Sequence, residues 1–149
     1  MTETPTRCPM CGGIGAVVAR VTLKALLTPD GLRRGVPEEP RYCGAAECPV
    51  VYFDADASVT FTEADLIVPV YAKHSGEASV PVCYCFGVTA GEMRDSERAS
   101  GLREMVAAHV KAAHCACEVK NPSGRCCLGD LVRLERGAAQ AMPSCCATT

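Results

Sequence analysis

Cysteine content constrains this chain more than any other feature of its sequence. The 149 residues include 12 cysteines, and these fall into close pairs. Thiolates are the soft ligands that zinc, copper(I) and iron–sulfur clusters select, and four of them complete a tetrahedral mononuclear site. The sequence therefore predicts more than one metal centre. The pairs are Cys8/Cys11, Cys43/Cys48, Cys83/Cys85, Cys115/Cys117, Cys126/Cys127 and Cys145/Cys146.

A disulfide scaffold is the alternative, because an even and high cysteine number also describes small secreted proteins. The segment from Met1 to Arg7 contains no apolar stretch of the kind that a signal peptide needs. Large packing side chains are scarce, since the chain has no Trp, three Phe and four Tyr. Small domains with thin cores are often held together by structural metals. We therefore expect a cytoplasmic protein whose reduced thiols hold metal ions.

Composition and motif content argue against three further classes. The formal net charge of −2 gives no electrostatic reason to expect a nucleic-acid partner. No run approaches the ~18 apolar residues of a membrane span, so we expect no membrane insertion. Neither a Ser–His–Asp arrangement nor a phosphate-binding glycine loop is evident. The sequence predicts a protein that is not an enzyme.

The apolar pattern changes character near residues 73–80. Before this point it is typical of strands, and after it the spacing is helical. We therefore predict an α+β protein with a β-rich metal domain over residues 1–78, a helical domain over 79–137 and a flexible tail over 138–149. The predicted strands are Ala16–Leu23, Val50–Phe53, Ser58–Phe61 and Leu66–Tyr71, with turns at residues 28–31 and 35–40.

Two helices are predicted in the second half. Thr89 and Glu92 fit a capping box, in which each side chain binds the other residue's backbone at a helix start. An apolar stripe follows at helical spacing. A last helix is predicted from about Gly124 to Arg136, with Ser123 as its N-cap and Gly137 as its C-cap. The stripe comprises Leu102, Met105, Val106, His109 and Val110.

The first four cysteines fit a zinc ribbon. Cys8 and Cys11 are separated by two residues and followed by two glycines, which permit the tight turn of a zinc knuckle. Cys43 and Cys48 are separated by four residues, still within the range of zinc ligand pairs. We predict a closed structural site with all four thiolates as ligands. Three thiolates with Asp or water, or a labile site that passes its metal onward, remain alternatives.

A second set of thiols lies in the other half. Cys83 and Cys85 form a C-x-C pair, which on an irregular loop offers two thiolates to one iron of a binuclear cluster. The remaining ligands must come from downstream, where Cys117 and the segment 121–127 follow. The start of the last helix suits an anionic iron–thiolate centre, because its free N–H groups and positive dipole end face outward.

The order of these motifs resembles the N-terminal region of CopZ-type copper chaperones over residues 7 to about 136. The resemblance implies a zinc domain followed by a [2Fe–2S] domain that is similar to bacterioferritin-associated ferredoxin. It assigns the cluster to Cys83, Cys85, Cys117 and Cys127. The spacing of the closing thiols departs from that ferredoxin. Cys115 and Cys126 are near-duplicates of the assigned ligands, so exchange within either pair stays open. The motifs are Cys8-Pro-Met-Cys11, Cys43–Cys48 followed by Val50-Val-Tyr-Phe53, Pro81-Val-Cys-Tyr-Cys85, and Asn121-Pro-Ser-Gly-Arg-Cys126-Cys127.

Full-length members of that family continue into a heavy-metal-associated domain with an M-x-C-x-x-C motif, which these 149 residues do not include. The chain offers Met142, Cys145 and Cys146 instead. Adjacent cysteines on a flexible segment capture a soft ion and release it by thiolate exchange. We therefore predict Cys145 and Cys146 as a capture site for Cu(I) or Hg(II), with incidental thiols as the alternative.

The three histidines are weaker signals. His109 lies on the apolar stripe and is predicted to pack in the core. His114 adjoins Cys115, where a histidine would raise a cluster's potential, but that arrangement requires two histidines. His74 falls in the predicted linker.

The functional prediction is a metallochaperone for Cu(I) or Hg(II), with zinc as a structural ion and a [2Fe–2S] centre as one-electron donor or sensor. Its expected partners are a metal-efflux ATPase, a metal reductase or another metal-trafficking protein. The alternatives are a small ferredoxin-like electron carrier with no metal cargo, and a zinc-ribbon interaction module without a cluster.

Overall fold

Four short strands in the first half form an antiparallel sheet. In the computed structural model, which describes residues 6–56, 58–74 and 77–140, these strands are neighbours in chain order. The side chains of Tyr52 and Phe53 are fully buried, which makes the third strand the centre of this half. The predicted strand over Val50–Phe53 is confirmed. The strands are β1 (Ala16–Val17), β2 (Pro40–Tyr42), β3 (Val50–Asp54) and β4 (Thr60–Thr62).

Two helices connect β1 to β2, where the sequence predicts a strand and a turn. The strand predicted over Ala16–Leu23 ends at Val17, and α1 spans Arg20–Leu26. A helix forms here instead of the predicted strand because helical spacing buries Leu23 and Leu26 on one face of α1. The predicted turn at residues 28–31 is instead the start of α2 (Pro29–Arg33), with proline in its first turn.

The strand predicted over Leu66–Tyr71 is also wrong. Leu66 makes a single bridge to Leu27, and the backbone then becomes irregular. Pro69 has no N–H to donate to a ladder, which disfavours a continued strand. Single turns of 3₁₀-helix flank this segment at Glu63–Asp65 and Tyr71–Lys73.

The second half begins with a hairpin and continues as helices. The capping box is confirmed, since Glu92 N donates to Thr89 Oγ1 (3.2 Å) and Thr89 N donates to Glu92 Oε1 (3.1 Å). The apolar stripe is also helical, with Val106 fully buried at its centre. The elements are β5 (Pro81–Cys83), β6 (Val88–Thr89), α3 (Ala90–Arg94), α4 (Ala99–Lys111), α5 (Cys117–Lys120) and α6 (Leu128–Gln140).

The last helix begins later and ends later than predicted. Ser123 caps no helix, because its N–H and hydroxyl both donate to Asn121 Oδ1 at 3.0 Å. Gly124 has a left-handed backbone (φ +71°), which excludes it from a right-handed helix. Helix α6 therefore starts at Leu128, and it passes through Gly137 rather than ending there. The predicted tail begins inside this helix.

Each half has its own apolar core. The segment from Glu118 to Gly124 in the second half contacts the first half. The Tyr52 hydroxyl donates to the Pro122 carbonyl at 2.5 Å, and the Thr22 hydroxyl donates to the Glu118 carbonyl. A Cβ on Gly124 would meet Val18 Cγ2 at 3.0 Å, so glycine permits the close approach of the halves. The α+β prediction is confirmed, and a domain boundary at residue 78 stays a prediction.

Within the described residues, none of the helices has the length and apolar character that crossing a bilayer would require.

Candidate metal centres

The four cysteines of the first half converge on one point. Their sulfur atoms all lie within 4.8 Å of one another. Cys8 Sγ is 3.7 Å from Cys48 Sγ, and Cys11 Sγ is 3.7 Å from Cys43 Sγ. A tetrahedral site with Zn–S bonds near 2.3 Å has sulfur–sulfur edges of about 3.8 Å. The chemistry and spacing of this first thiol set therefore fit Zn²⁺.

Two tight turns deliver these sulfur atoms. The knuckle that carries Cys8 and Cys11 is closed by backbone bonds, from Cys8 N to Gly13 O (2.8 Å) and from Gly12 N to Cys8 O (2.9 Å). Gly12 has a φ of +76°, which accounts for glycine after the second cysteine. Cys43 follows β2 and Cys48 precedes β3, so adjacent strands bring the second pair to the first.

The electrostatics of this site are uneven. The Gly13 N–H, 3.4 Å from Cys11 Sγ, is the main cause that lowers the pKa of the exposed Cys11 to about 7. Burial raises the pKa of Cys43 to about 12 and also raises that of Cys48. A cation is thus needed to hold the buried members as thiolates. Four thiolates around one dication fulfil that condition.

Lys73 contributes a positive charge that the sequence pattern did not reveal. Its Nζ donates to Ala45 O at 2.6 Å and lies 3.9 Å from Cys43 Sγ. The 3₁₀ turn Tyr71–Lys73, at the C-terminal end of the first half, places the Lys73 side chain beside Cys43.

In the described residues the group that could hold a metal consists of four cysteines and no carboxylate. This favours the four-thiolate alternative over one with Asp.

A second thiol set lies in the helical half. Cys85 Sγ is 3.8 Å from Cys117 Sγ. Cys83 has Cys127 as its thiol partner, and this hydrogen bond is the main cause that lowers the pKa of Cys83 to about 6. The same bond raises the pKa of Cys127, whereas burial raises that of Cys117 to about 12. Each member of the C-x-C pair thus faces a different downstream cysteine.

The elements around this second set suit an anionic centre. The Ala116 N–H donates to Cys85 Sγ at 3.0 Å, the kind of bond that tunes iron–sulfur centres. Cys127 directly precedes α6, and its carbonyl accepts from Leu131 N at 3.0 Å. Cys83, Cys117 and Cys127 are buried in the core of the second half. The donor chemistry suits a thiolate-bound group, but among the described residues only the first set has sulfur atoms that all lie within 4.8 Å of one another.

Burial separates Cys117 and Cys127 from their neighbours Cys115 and Cys126, whereas Cys85 is half-buried. Cys126 is exposed, and Cys115 is half-buried against the edge of the core. Cys126 lines a cleft of about 470 Å³ between the halves, together with Tyr84, Asp130 and Arg133. The ten cysteines in the described part of the chain are all free thiols. Cys145 and Cys146 lie outside the described residues.

Comparison with known proteins agrees with this geometry. The family described as the CopZ zinc binding domain matches residues 5–67, which include the whole first thiol set. The crystal structure of the N-terminal domain of CopZ from Archaeoglobus fulgidus superposes with a TM-score of 0.69 at 33% identity. The superposition covers 86% of this chain and 96% of that domain.

The chain belongs to the CopZ N-terminal family. The copper chaperone CopZ of Archaeoglobus fulgidus is 33% identical over 128 residues, which are 86% of this chain. That alignment spans 61% of the chaperone, so the chain matches about three-fifths of its length. The family resemblance predicted from the motifs is confirmed, as is the presence of a zinc binding domain.

Proposed function

We propose that this CopZ-family chain is the zinc- and cluster-bearing part of a metallochaperone that handles Cu(I) or Hg(II). In this proposal Cys8, Cys11, Cys43 and Cys48 bind Zn²⁺ as a closed structural site. A second site, formed by Cys83, Cys85, Cys117 and Cys127, holds a [2Fe–2S] cluster.

The main support for the second site is the burial of its thiols. Three of its four cysteines are buried, yet no disulfide joins any of the described cysteines. A buried thiol far from any partner behaves as a small apolar side chain. Here the buried thiols face other thiols instead, with Cys85 and Cys117 at 3.8 Å. That arrangement is typical of a shared metal group.

The ligands, a backbone N–H group and the surrounding apolar core have different roles at this second site. A [2Fe–2S] centre supplies one reversible electron when bound, which serves as donor or sensor for the cargo. The Ala116 N–H stabilises negative charge on Cys85. The apolar core around Cys83 and Cys127 keeps water from their sulfur atoms. With four cysteines each, both sites are closed to substrate, which supports a role other than catalysis.

The test is the visible absorption spectrum of protein purified without oxygen, before and after dithionite. We expect bands between about 400 and 600 nm that bleach on reduction. A colourless protein from iron-supplied cells would refute the cluster and leave a zinc- and thiol-based metal binder.

An electron carrier without metal cargo is the second candidate, favoured by the resemblance of the second half to small ferredoxins. Titration of cluster-loaded protein with Cu(I) separates the two functions. Stoichiometric tight binding supports the chaperone, and its absence supports the carrier. Replacing Cys145 and Cys146 with Ser is expected to weaken soft-metal transfer and leave zinc and iron content unchanged. Delivery to an efflux ATPase or a metal reductase, in the cytoplasm, completes the proposal.

A further inference from the structure

Two histidines outside both thiol sets face each other in the second half. His109 Nδ1 and His114 Nδ1 are 3.1 Å apart, and their ring centroids are 5.3 Å apart. Only one histidine of the described chain lies elsewhere, namely His74 in the other half. Without an ion, one ring donates a proton to the other. When both Nδ1 atoms are unprotonated, each has a lone pair with which to bind an ion.

The separation of these nitrogens suits one metal ion. Imidazole nitrogens bind Zn²⁺ at about 2.0–2.1 Å, and two of them 3.1 Å apart subtend an angle of about 98° at the ion. That angle lies between the square-planar and tetrahedral values. The separation of the nitrogens therefore suits a two-nitrogen ligand, and rotation of the rings turns their lone pairs from each other toward a shared ion.

The backbone brings the pair together in an uncommon way. Five positions apart on a continuous helix, two side chains would point roughly 140° away from each other. Here α4 ends before His114, and Ala113 adopts a left-handed backbone (φ 61°). The His114 N–H then donates to the His109 carbonyl at 2.8 Å. This turn folds His114 back over His109.

Phe86 fixes the first ring of the pair. Its ring is stacked on His109, with centroids 4.5 Å apart and planes 22° from parallel. Phe86 directly follows Cys85, so the pair lies beside the loop of the second thiol set. His114 is exposed, which leaves the ion's remaining positions open to water. In the described residues no third cysteine, histidine or carboxylate completes a compact ligand group there.

We propose that His109 and His114 form a labile binding site for a divalent borderline metal ion, with Cu(II) as the preferred ion. Imidazole suits Cu(II) and Zn²⁺, and Cu(II) is bound most tightly of the divalent first-row ions. Cu(I) prefers thiolates. The pair thus receives the oxidised form of copper beside the cluster loop, and the thiols retain the reduced form. The choice of copper as the physiological ion rests on the proposed function, whereas the two-nitrogen site rests on geometry alone.

The test uses the full chain with zinc loaded and under oxidising conditions, in which a bound [2Fe–2S] cluster is silent in electron paramagnetic resonance. Replacing Cys115, Cys126, Cys145 and Cys146 with Ser removes the thiols outside both metal sites, which would otherwise reduce Cu(II). One equivalent of Cu(II) is then added. We expect a signal with hyperfine splitting from two nitrogens. The His109→Gln and His114→Gln variants are each expected to lose that splitting and at least about tenfold in Cu(II) affinity.

His74→Gln is the matched control and is expected to keep the two-nitrogen signal. Unchanged far-ultraviolet circular dichroism in all three variants shows that the fold is intact. The inference is wrong if the signal persists in His109→Gln or His114→Gln, or if Cu(II) does not bind stoichiometrically. These outcomes are independent of the proposed function, which fails instead when the protein is colourless or takes up no Cu(I).

Discussion

The two thiol sets differ in what surrounds them. In the first half the sulfur atoms make up most of a small core, with Val50 and Phe53 as its apolar members. In the second half the cysteines lie among larger apolar side chains, including Met93, Val106 and Leu131. The first set thus forms a cluster of its own beside the apolar core of that half, which contains Tyr52 and Phe61. The second set lies within the apolar core of its half. We infer that metal stabilises the first half, and that the group in the second half serves function more than folding.

Removing one thiol from each set tests this difference most strongly. We expect Cys43→Ser to unfold the first half, because a structural zinc site contributes roughly 10–16 kcal/mol of apparent binding free energy. Cys83→Ser is expected to abolish visible absorption and leave most helical structure. Zinc content, iron content and far-ultraviolet circular dichroism measure both effects. Cys126→Ser, at an exposed thiol, is the control. A folded first half without zinc would contradict the comparison.

The duplicate thiols sharpen the comparison within the second half. Cys117 and Cys127 are buried, whereas Cys115 is half-buried and Cys126 exposed. We therefore expect Cys117→Ser and Cys127→Ser to remove most of the visible absorption, and Cys115→Ser and Cys126→Ser to retain it. Iron per chain is the independent measurement. Cluster loss in the Cys126→Ser variant would show that the ligand assignment is wrong at that pair.

Local spacing pointed to the first thiol set, whose four sulfur atoms the structure brings together, whereas the second ligand set came from the family resemblance and stays a prediction. The knuckle at Cys8 and the capping box at Thr89 each lie within a few residues, and the structure contains both as predicted. The strand predicted over Ala16–Leu23 is wrong. Its β-branched residues favour a strand by local propensity, but most of the segment is helix α1 or the irregular backbone before it. What decides that segment is the burial of Leu23 in one cluster with Val51 and Tyr52 and the packing of α1 against α5, which no local pattern records.

Lys73 and the histidine pair were beyond prediction for the same reason. Lys73 reaches Cys43 across 30 positions of chain. His109 and His114 meet only because Ala113 adopts a left-handed backbone, a conformation that alanine seldom takes. Long-range contacts and uncommon turns carry no periodic signal in sequence.

A hydrogen bond between the two halves provides a test with a smaller expected effect. Tyr52 is fully buried in the first half, and its hydroxyl donates to the Pro122 carbonyl in the loop that leads to Cys127. We expect Tyr52→Phe to lower the free energy of unfolding by about 1–2 kcal/mol, because the buried carbonyl loses its partner. Chemical denaturation, followed by the visible bands and by circular dichroism, measures the loss. Tyr42→Phe, on the neighbouring ring, is the control. An equal loss in both variants would assign the effect to general packing.

The smallest expected effect is a pH dependence confined to the first half. The hydrogen bond from His74 Nε2 to Glu63 (2.6 Å) is the main cause that raises the pKa of His74 above its ordinary value of 6.5. Glu63 also accepts from Val70 N at 2.8 Å, so the pair ties two 3₁₀ turns together. A raised pKa means that the folded state binds the proton more tightly than the unfolded state. The stabilisation is therefore complete below pH 6.5 and is lost as the pH rises through the raised pKa.

We expect wild type and His74→Gln to differ in thermal midpoint at about pH 6 and to converge by about pH 9. A difference between wild type and His74→Gln that persists unchanged to about pH 9 would contradict this origin of the pH dependence.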